Sequence, residues 1–480
     1  MASSVRTKWL ALALLCATQF IIVLDIAIVN VALPSIQTDL GFTQENLQWV
    51  ISAYALVFGG FLLLGGRMAD LLGRRRVFIG GLVVFTLGSL LCGLAWSEAS
   101  LIGARALQGL GAATISPAAL SILTTTFQEG RERNIALGAW GAVGGVGAAA
   151  GVLFGGILTD LLSWEWIFFV NVPVGVAALV LAPVLLAESR DTHARSFDAM
   201  GAIFVTSGLS LLVLAITKGQ DWAWSSARTI GVFAAAAVLL ASFIAWESRA
   251  RDPLMPFSIF RLQTLAAANV AGFILGTALF GMFLMLTLYM QQVLHFSPLQ
   301  TGVGYLAVAG TAIVWANVAA QAVNRVGVKP ALVFGMSLFT VGLLYFTQVS
   351  PDGSYWKDLF PGFLIIGLGM PFAFVPITIA ALAGTKPQEA GLASGLINTS
   401  QQIGGAVGIA ILSTIAASTT SDAVTSGTAL SSALTDGFRT AFWAGAALAF
   451  AGVLVSVFLV RDRDLRPQEL PLGEAALDSA

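Results

Sequence analysis

Two charged side chains in this sequence stand where water is scarce. Asp25 interrupts the apolar run Leu24-Asp25-Ile26-Ala27-Ile28-Val29-Asn30-Val31-Ala32-Leu33-Pro34, and Arg105 opens Arg105-Ala106-Leu107-Gln108-Gly109-Leu110-Gly111 within another. A charge inside a lipid-spanning helix is costly, and it persists where it meets an opposite charge, lines a water-filled cavity or handles an ion or proton. Asp is too short to lift its carboxylate to the membrane surface as long cationic side chains do. Asp25 is therefore the expected ion- or proton-binding group, with Arg105 as its candidate partner. A structural Arg105 held by backbone carbonyls is the alternative.

Composition supplies the helices that must position these groups. Of 480 residues, 57% are hydrophobic and 10% charged, with a mean hydropathy of +0.87. Soluble domains carry about 25% charged residues, so the chain reads as a polytopic membrane protein. The net charge of −1 gives no sign of a nucleic-acid partner. Cys16 and Cys92 sit in apolar runs and form no metal pattern. There is no G-x-x-x-x-G-K-[ST] phosphate loop, so no cofactor is expected and an ion gradient is the expected energy source.

A membrane span takes about 20 mostly apolar residues. On that measure the chain has fourteen, at roughly 9–34, 48–68, 76–96, 99–123, 134–159, 165–187, 199–217, 229–246, 265–290, 300–322, 330–348, 358–382, 393–416 and 438–460. The basic N-terminus before the first run is read as the flank of a retained span, without a small-residue cleavage site. With the N-terminus inside, nineteen Lys and Arg fall on the cytoplasmic side, and only Lys218, Arg228, Lys357 and Arg439 fall outside. That asymmetry obeys the positive-inside rule and places both termini in the cytoplasm. The expected division is a first six-helix bundle (1–190), an inserted two-helix segment (191–262), a second bundle (263–461) and a polar, disordered tail (462–480).

Depth tests whether the two charges can meet. Asp25 lies nine residues before Pro34, about 13 Å below the outer end of span one, and Arg105 lies about 9 Å down span four. Both fall in the outer half of the bilayer, and contact is allowed. Burial favours a neutral Asp25 and a neighbouring Arg105 favours the carboxylate, so movement between them could switch proton binding.

The residues Gly66-Arg67-Met68-Ala69-Asp70-Leu71-Leu72-Gly73-Arg74-Arg75-Arg76 form a short basic loop with glycines for tight turning. The loop after span ten, Asn324-Arg325-Val326-Gly327-Val328-Lys329, echoes it and suggests a duplicated bundle. The first loop resembles the major facilitator superfamily pattern G-x-L-A-D-R-x-G-R-[KR], with Met68 and Leu71 departing from it. That resemblance implies that Gly66, Asp70, Gly73, Arg74 and Arg75 build a cytoplasmic latch between bundles. Arg105 to Gly109 resembles the family's R-x-x-Q-G motif, which is linked to proton coupling. Gly147, Gly151, Gly155 and Gly156 in span five offer a smooth face for close helix approach. They also resemble the antiporter motif G-x-x-x-G-P-x-x-G-G of the bundle interface, with Val152 in place of its Pro. Span one, with Ala27 for a usual Thr, and Trp164-Glu165-Trp166-Ile167-Phe168-Phe169-Val170-Asn171-Val172-Pro173, with Glu165 for Arg, are similar to segments of the fourteen-span drug:proton antiporters. The implied fold is all-α: two six-helix bundles plus two inserted central helices.

Aromatic and Met-rich walls with a few amides suit adaptable binding of amphipathic molecules. The candidate lining is Asn30, Gln108, Phe280, Phe283, Tyr289, Trp315, Asn317, Asn398 and Gln401. No carboxylate lies deep in spans nine to fourteen, so neutral or monovalent lipophilic substrates are expected over dications. The resemblance implies export of such molecules in exchange for protons at the plasma (inner) membrane, as in multidrug efflux and antibiotic resistance. The alternatives are a dedicated exporter of one endogenous metabolite, such as an antibiotic or siderophore, and a non-transporting membrane receptor. No nucleophile–base or metal constellation points to an enzyme.

Overall fold

In hydrocarbon a backbone amide finds its partner only within the chain, so each long apolar run becomes a helix. A computed structural model describes residues 5–127, 131–189, 198–219, 222–250, 253, 255, 257–383 and 390–460. The tail after 460 and the loop bases Arg190, Arg195, Arg251 and Lys386 lie outside the described residues. The first block holds α1 (Val5–Leu40), α2 (Trp49–Leu72), α3 (Arg74–Gly93), α4 (Glu98–Thr126), α5 (Arg131–Leu161) and α6 (Asn171–Leu185). An inserted pair follows, α7 (Ala199–Lys218) and α8 (Ala227–Glu247). The last block holds α9 (Gln263–Leu288), α10 (Pro298–Val326), α11 (Val328–Phe346), α12 (Phe360–Leu382), α13 (Ala390–Thr425) and α14 (Leu430–Phe458).

Thirteen of these helices are long and apolar enough to cross a membrane among the described residues. The fourteenth, α5, contributes the shorter apolar stretch Val146–Leu161. The expected all-α, fourteen-helix fold is what forms. Within the first block α2 and α3 pack on α4, and α1 packs on α5; within the last, α9 packs on α13 and α11 on α12. The blocks meet along two seams, α2 with α13 and α5 with α10, and α7 lies against both α2 and α13.

The join between α2 and α3 is the single residue Gly73, at φ +109°, and the join between α10 and α11 is Gly327, at φ +94°. A side chain is strained in that left-handed region, which is why glycine stands at both turns. The sequence echo between the two loops is thus a shared backbone device at matching places in the two bundles.

The bundles touch closely at the end where α1 terminates. Gln291 Nε2 donates to the Val31 carbonyl at 2.7 Å, and Gln292 Nε2 to Gln37 Oε1 at 3.1 Å. Both glutamines lie in a π-helical turn that extends α9, Tyr289–Val293. Nearby, Ser413 Oγ donates to Gln48 Oε1 at 3.0 Å, and a Cβ on Gly156 would stand 2.6 Å from the Pro298 carbonyl oxygen.

Candidate functional site

Asp25 is wholly buried in the first bundle, and each of its oxygens is met by a donor. Arg105 Nη1 donates to Oδ2 at 2.6 Å. Gln108 Nε2 and Asn171 Nδ2 donate to Oδ1 at 2.7 and 2.9 Å. The ion pair is sealed, with 1% of the Arg105 side chain and 0% of the Asp25 side chain exposed. Removing two charges from water is costly, and a close pair with further hydrogen bonds offsets that cost.

Four helices assemble the pocket around α1. On α4, Arg105 and Gln108 are three residues apart and share a face; Nη1 also donates to Gln108 Oε1 at 2.6 Å. From α2, the Val50 carbonyl accepts Arg105 Nε at 2.9 Å, and the Tyr54 ring lies 4.4 Å beneath the guanidinium. A buried Arg beneath an aromatic face gains a cation–π attraction. Ser89 on α3 accepts from Gln108 and Asn171, both at 3.1 Å, and donates to the Phe168 carbonyl at 2.9 Å. Asn171 is the first residue of α6, after the short helix Trp166–Phe169. The close approach has a cause in sequence: a Cβ on Gly88 would lie 2.8 Å from the Gln108 backbone, and one on Gly109 2.6 Å from the Tyr54 carbonyl.

Arg105 thus pairs with Asp25 and also donates to a backbone carbonyl. Gln108, expected to line a substrate path, is instead spent on the Asp25 cluster. Ser89 and Tyr54 are functional candidates that lie outside the motifs, and Asn171 stands in the segment 164–173 without a role assigned to it there. Sorting polar residues by depth would have picked out Ser89 and Asn171, because Ser89 lies about 6 Å from the Gly93 end of α3 and Asn171 begins α6 at the same end.

Arg74 and Arg75 of the basic loop make their hydrogen bonds within the first bundle. Arg74 donates to Asp70 from Nη2 at 3.1 Å, and its backbone N–H to the Ser189 carbonyl at 2.9 Å. The Arg75 backbone N–H donates to Glu188 Oε1 at 3.1 Å, and Arg75 Nη1 to the Leu186 carbonyl at 3.2 Å. These bonds fasten the α2–α3 turn to the end of α6. None of these Arg74 and Arg75 bonds reaches the second bundle.

The glycine stripe divides by partner. A Cβ on Gly147, Gly151 or Gly155 would meet α1, at Val23, at Ala27 and Leu24, and at Ile28, whereas one on Gly156 meets α10 across the seam. Three of the four therefore press α1 from behind the Asp25 site, and one faces the other bundle.

A family model described as Major Facilitator Superfamily matches residues 15–409. The chain belongs to that superfamily. It is 40% identical over 423 residues to the cephamycin export protein CmcT of Amycolatopsis lactamdurans, covering 87% of each chain. It is 38% identical over 416 residues to the puromycin resistance protein pur8 of Streptomyces alboniger, covering 86% of this chain and 82% of that one. Its fold matches the crystal structure of an auto-inhibited POT family peptide transporter with a TM-score of 0.69 at 16% identity, over 96% of this chain and 99% of the other.

As a major facilitator protein the chain is a multi-pass membrane transporter rather than an enzyme. Its other expected lining residues are dispersed. Asn30 is buried and donates back to the Ile26 carbonyl of its own helix at 3.0 Å. Phe280 lies against Gly405, and Phe283 packs on the Tyr305 ring at 5.1 Å, both inside the second bundle. Tyr289 is fully buried, donates to the Ser350 carbonyl at 2.8 Å and packs edge-on against Phe438 within the second bundle. Trp315, Asn317 and Asn398 are exposed, and Gln401 is partly buried beside Gly272 of α9. No hydrogen bond or ring contact among the described residues joins these side chains to one another.

Proposed function

We propose that this chain exports small lipophilic molecules, neutral or singly charged, across the cell membrane in exchange for protons, with Asp25 as the group that takes up and releases the proton. The observation that carries the reading is the sealed Asp25–Arg105 pair, deep in the first bundle of a major facilitator fold. As a carboxylate Asp25 holds Arg105, and Arg105 in turn holds the Val50 carbonyl of α2. Protonation removes the charge that anchors the guanidinium. Because α2 also forms the seam with α13, where Thr399 Oγ1 donates to the Gly59 carbonyl at 3.2 Å, a change at Asp25 bears on how the bundles sit. Inward proton movement then drives substrate outward, with both termini in the cytoplasm of a plasma (inner) membrane protein.

Asp25→Asn in proteoliposomes tests the coupling. Uphill, pH-gradient-driven export is expected to be lost, with downhill exchange retained; undiminished uphill export by the variant overturns the reading.

A second reading is a dedicated exporter of one antibiotic or related metabolite, and the similarity to proteins named for cephamycin export and puromycin resistance favours it. Accumulation of a panel of unrelated dyes and antibiotics, with and without a protonophore, separates the two. Protection against many compounds supports multidrug efflux, and protection against one chemical class supports the dedicated exporter.

A further inference from the structure

Asn171 uses one end of its amide twice and the other not at all. Its Nδ2 donates to Asp25 Oδ1 and to Ser89 Oγ, while its buried Oδ1 accepts no hydrogen bond among the described residues. An idle buried carbonyl is costly, and in a native cluster it calls for a reason. The reason lies in the arithmetic of the cluster. Asp25 receives three donors, an arrangement made for the carboxylate. Once protonated, the acid carries an O–H that needs an acceptor, and an N–H facing that O–H from Asn171 cannot serve. Within this hydrogen-bonded cluster the other side-chain acceptors are occupied: Gln108 Oε1 by Arg105 and Cys92, and Ser89 Oγ by two amides. Asn171 Oδ1 is free.

We propose that Asn171 is a proton-linked amide rotor, which rests on Asp25 being the coupling group. With Asp25 ionised, Nδ2 faces the carboxylate. When Asp25 gains a proton on Oδ1, the Asn171 amide turns about its Cβ–Cγ bond and Oδ1 accepts from the new O–H. The Ser89 hydroxyl can then turn from the Phe168 carbonyl to the same oxygen. The rotation exchanges which end of the amide is idle rather than adding an idle end. No bond other than the O–H forms or breaks, and the proton comes from the aqueous phase. Asn171 is thus a positioning residue that carries the protonation state of α1 to the start of α6.

Infrared difference spectroscopy of the full chain in nanodiscs, with asparagine carrying a 13C side-chain amide, tests this. Acid-minus-base spectra are taken of the native protein and of Asn171→Leu, whose missing band identifies the Asn171 carbonyl; Asn171→Ser identifies it if the Leu variant fails to fold. The expected result is that the Asn171 carbonyl band moves to lower wavenumber in step with the appearance of the Asp25 acid band, as a carbonyl gaining a donor does. A stationary Asn171 band while Asp25 titrates overturns the rotor and leaves proton coupling intact. If the Asp25 acid band fails to appear at any pH, the coupling role falls and the rotor falls with it.

Discussion

Arg105 Nη1 lies 2.6 Å from Asp25 Oδ2, although eighty residues separate the two in the chain. Breaking one side of a buried pair leaves an uncompensated charge, at a cost of about 3–5 kcal/mol. Arg105→Ala is therefore expected to lower the thermal unfolding midpoint in detergent sharply. Asp25→Asn combined with Arg105→Gln is expected to unfold at a higher temperature than Arg105→Ala alone, because no lone charge remains. A double variant less stable than Arg105→Ala would contradict the pairing as the source of the loss.

Gln291 and Gln292 close the seam at the end where α1 terminates, by donating to Val31 and Gln37 of α1. A hydrogen bond contributes a net of about 0.5–1.5 kcal/mol, a roughly 2- to 12-fold effect on a two-state population. Gln291→Ala is expected to raise the fraction of molecules open at that end by such a factor. Distances between spin labels placed at that end of the two bundles report it, and an unchanged distribution counts against the Gln291 bond as a closure of the seam.

Gly151 and Gly156 are expected to respond differently to the same methyl group. A Cβ at Gly151 would sit 2.7 Å from Ala27 Cβ and 2.9 Å from the Leu24 carbonyl, inside the first bundle. Overpacking of this kind costs about 1–3 kcal/mol, so Gly151→Ala is expected to lower thermal stability. Gly156→Ala meets α10 across a seam that must move, so it is expected to slow export more than it lowers stability. Equal effects on both properties in the two variants would show that the stripe acts as one surface.

Glu188 anchors the basic turn, but the ion pairs it makes with Arg75 and Arg76 are long, at 3.8 and 3.7 Å, and partly exposed. Exposed pairs are worth about 0–1 kcal/mol, so Glu188→Ala is expected to have a small effect on unfolding. Gly73→Ala is expected to cost more, because its φ of +109° strains any side chain and its Cβ would lie 2.7 Å from Glu188 Oε1. Comparison of the two unfolding midpoints checks the order.

Much of the fold was legible from the chain alone because the bilayer is a severe solvent. It demands helices of a set length, confines charge to their ends and makes each exception conspicuous. Asp25 and Arg105 stood out for that reason, and counting residues from the helix ends placed them at compatible depth. Gly73 and Gly327 were legible as turn residues, since a one-residue join leaves few alternatives to a left-handed glycine.

Rotation about each helix axis and the choice of neighbours were decided only by tertiary structure. Hydropathy fixes how deep a residue lies, and it says little about direction, because lipid and the protein interior are both apolar. Thus Gln108 turned to Asp25 and not to a substrate path, Tyr289 turned into the second bundle, and three of four stripe glycines faced α1. Asn171 belongs to the segment 164–173, but it entered the cluster because α6 begins beside α1 and α3, a contact that segment does not reveal. By itself the sequence determined which charges lie in the membrane and at what depth; packing decided that Asp25, Arg105, Gln108 and Asn171 share one hydrogen-bonded site.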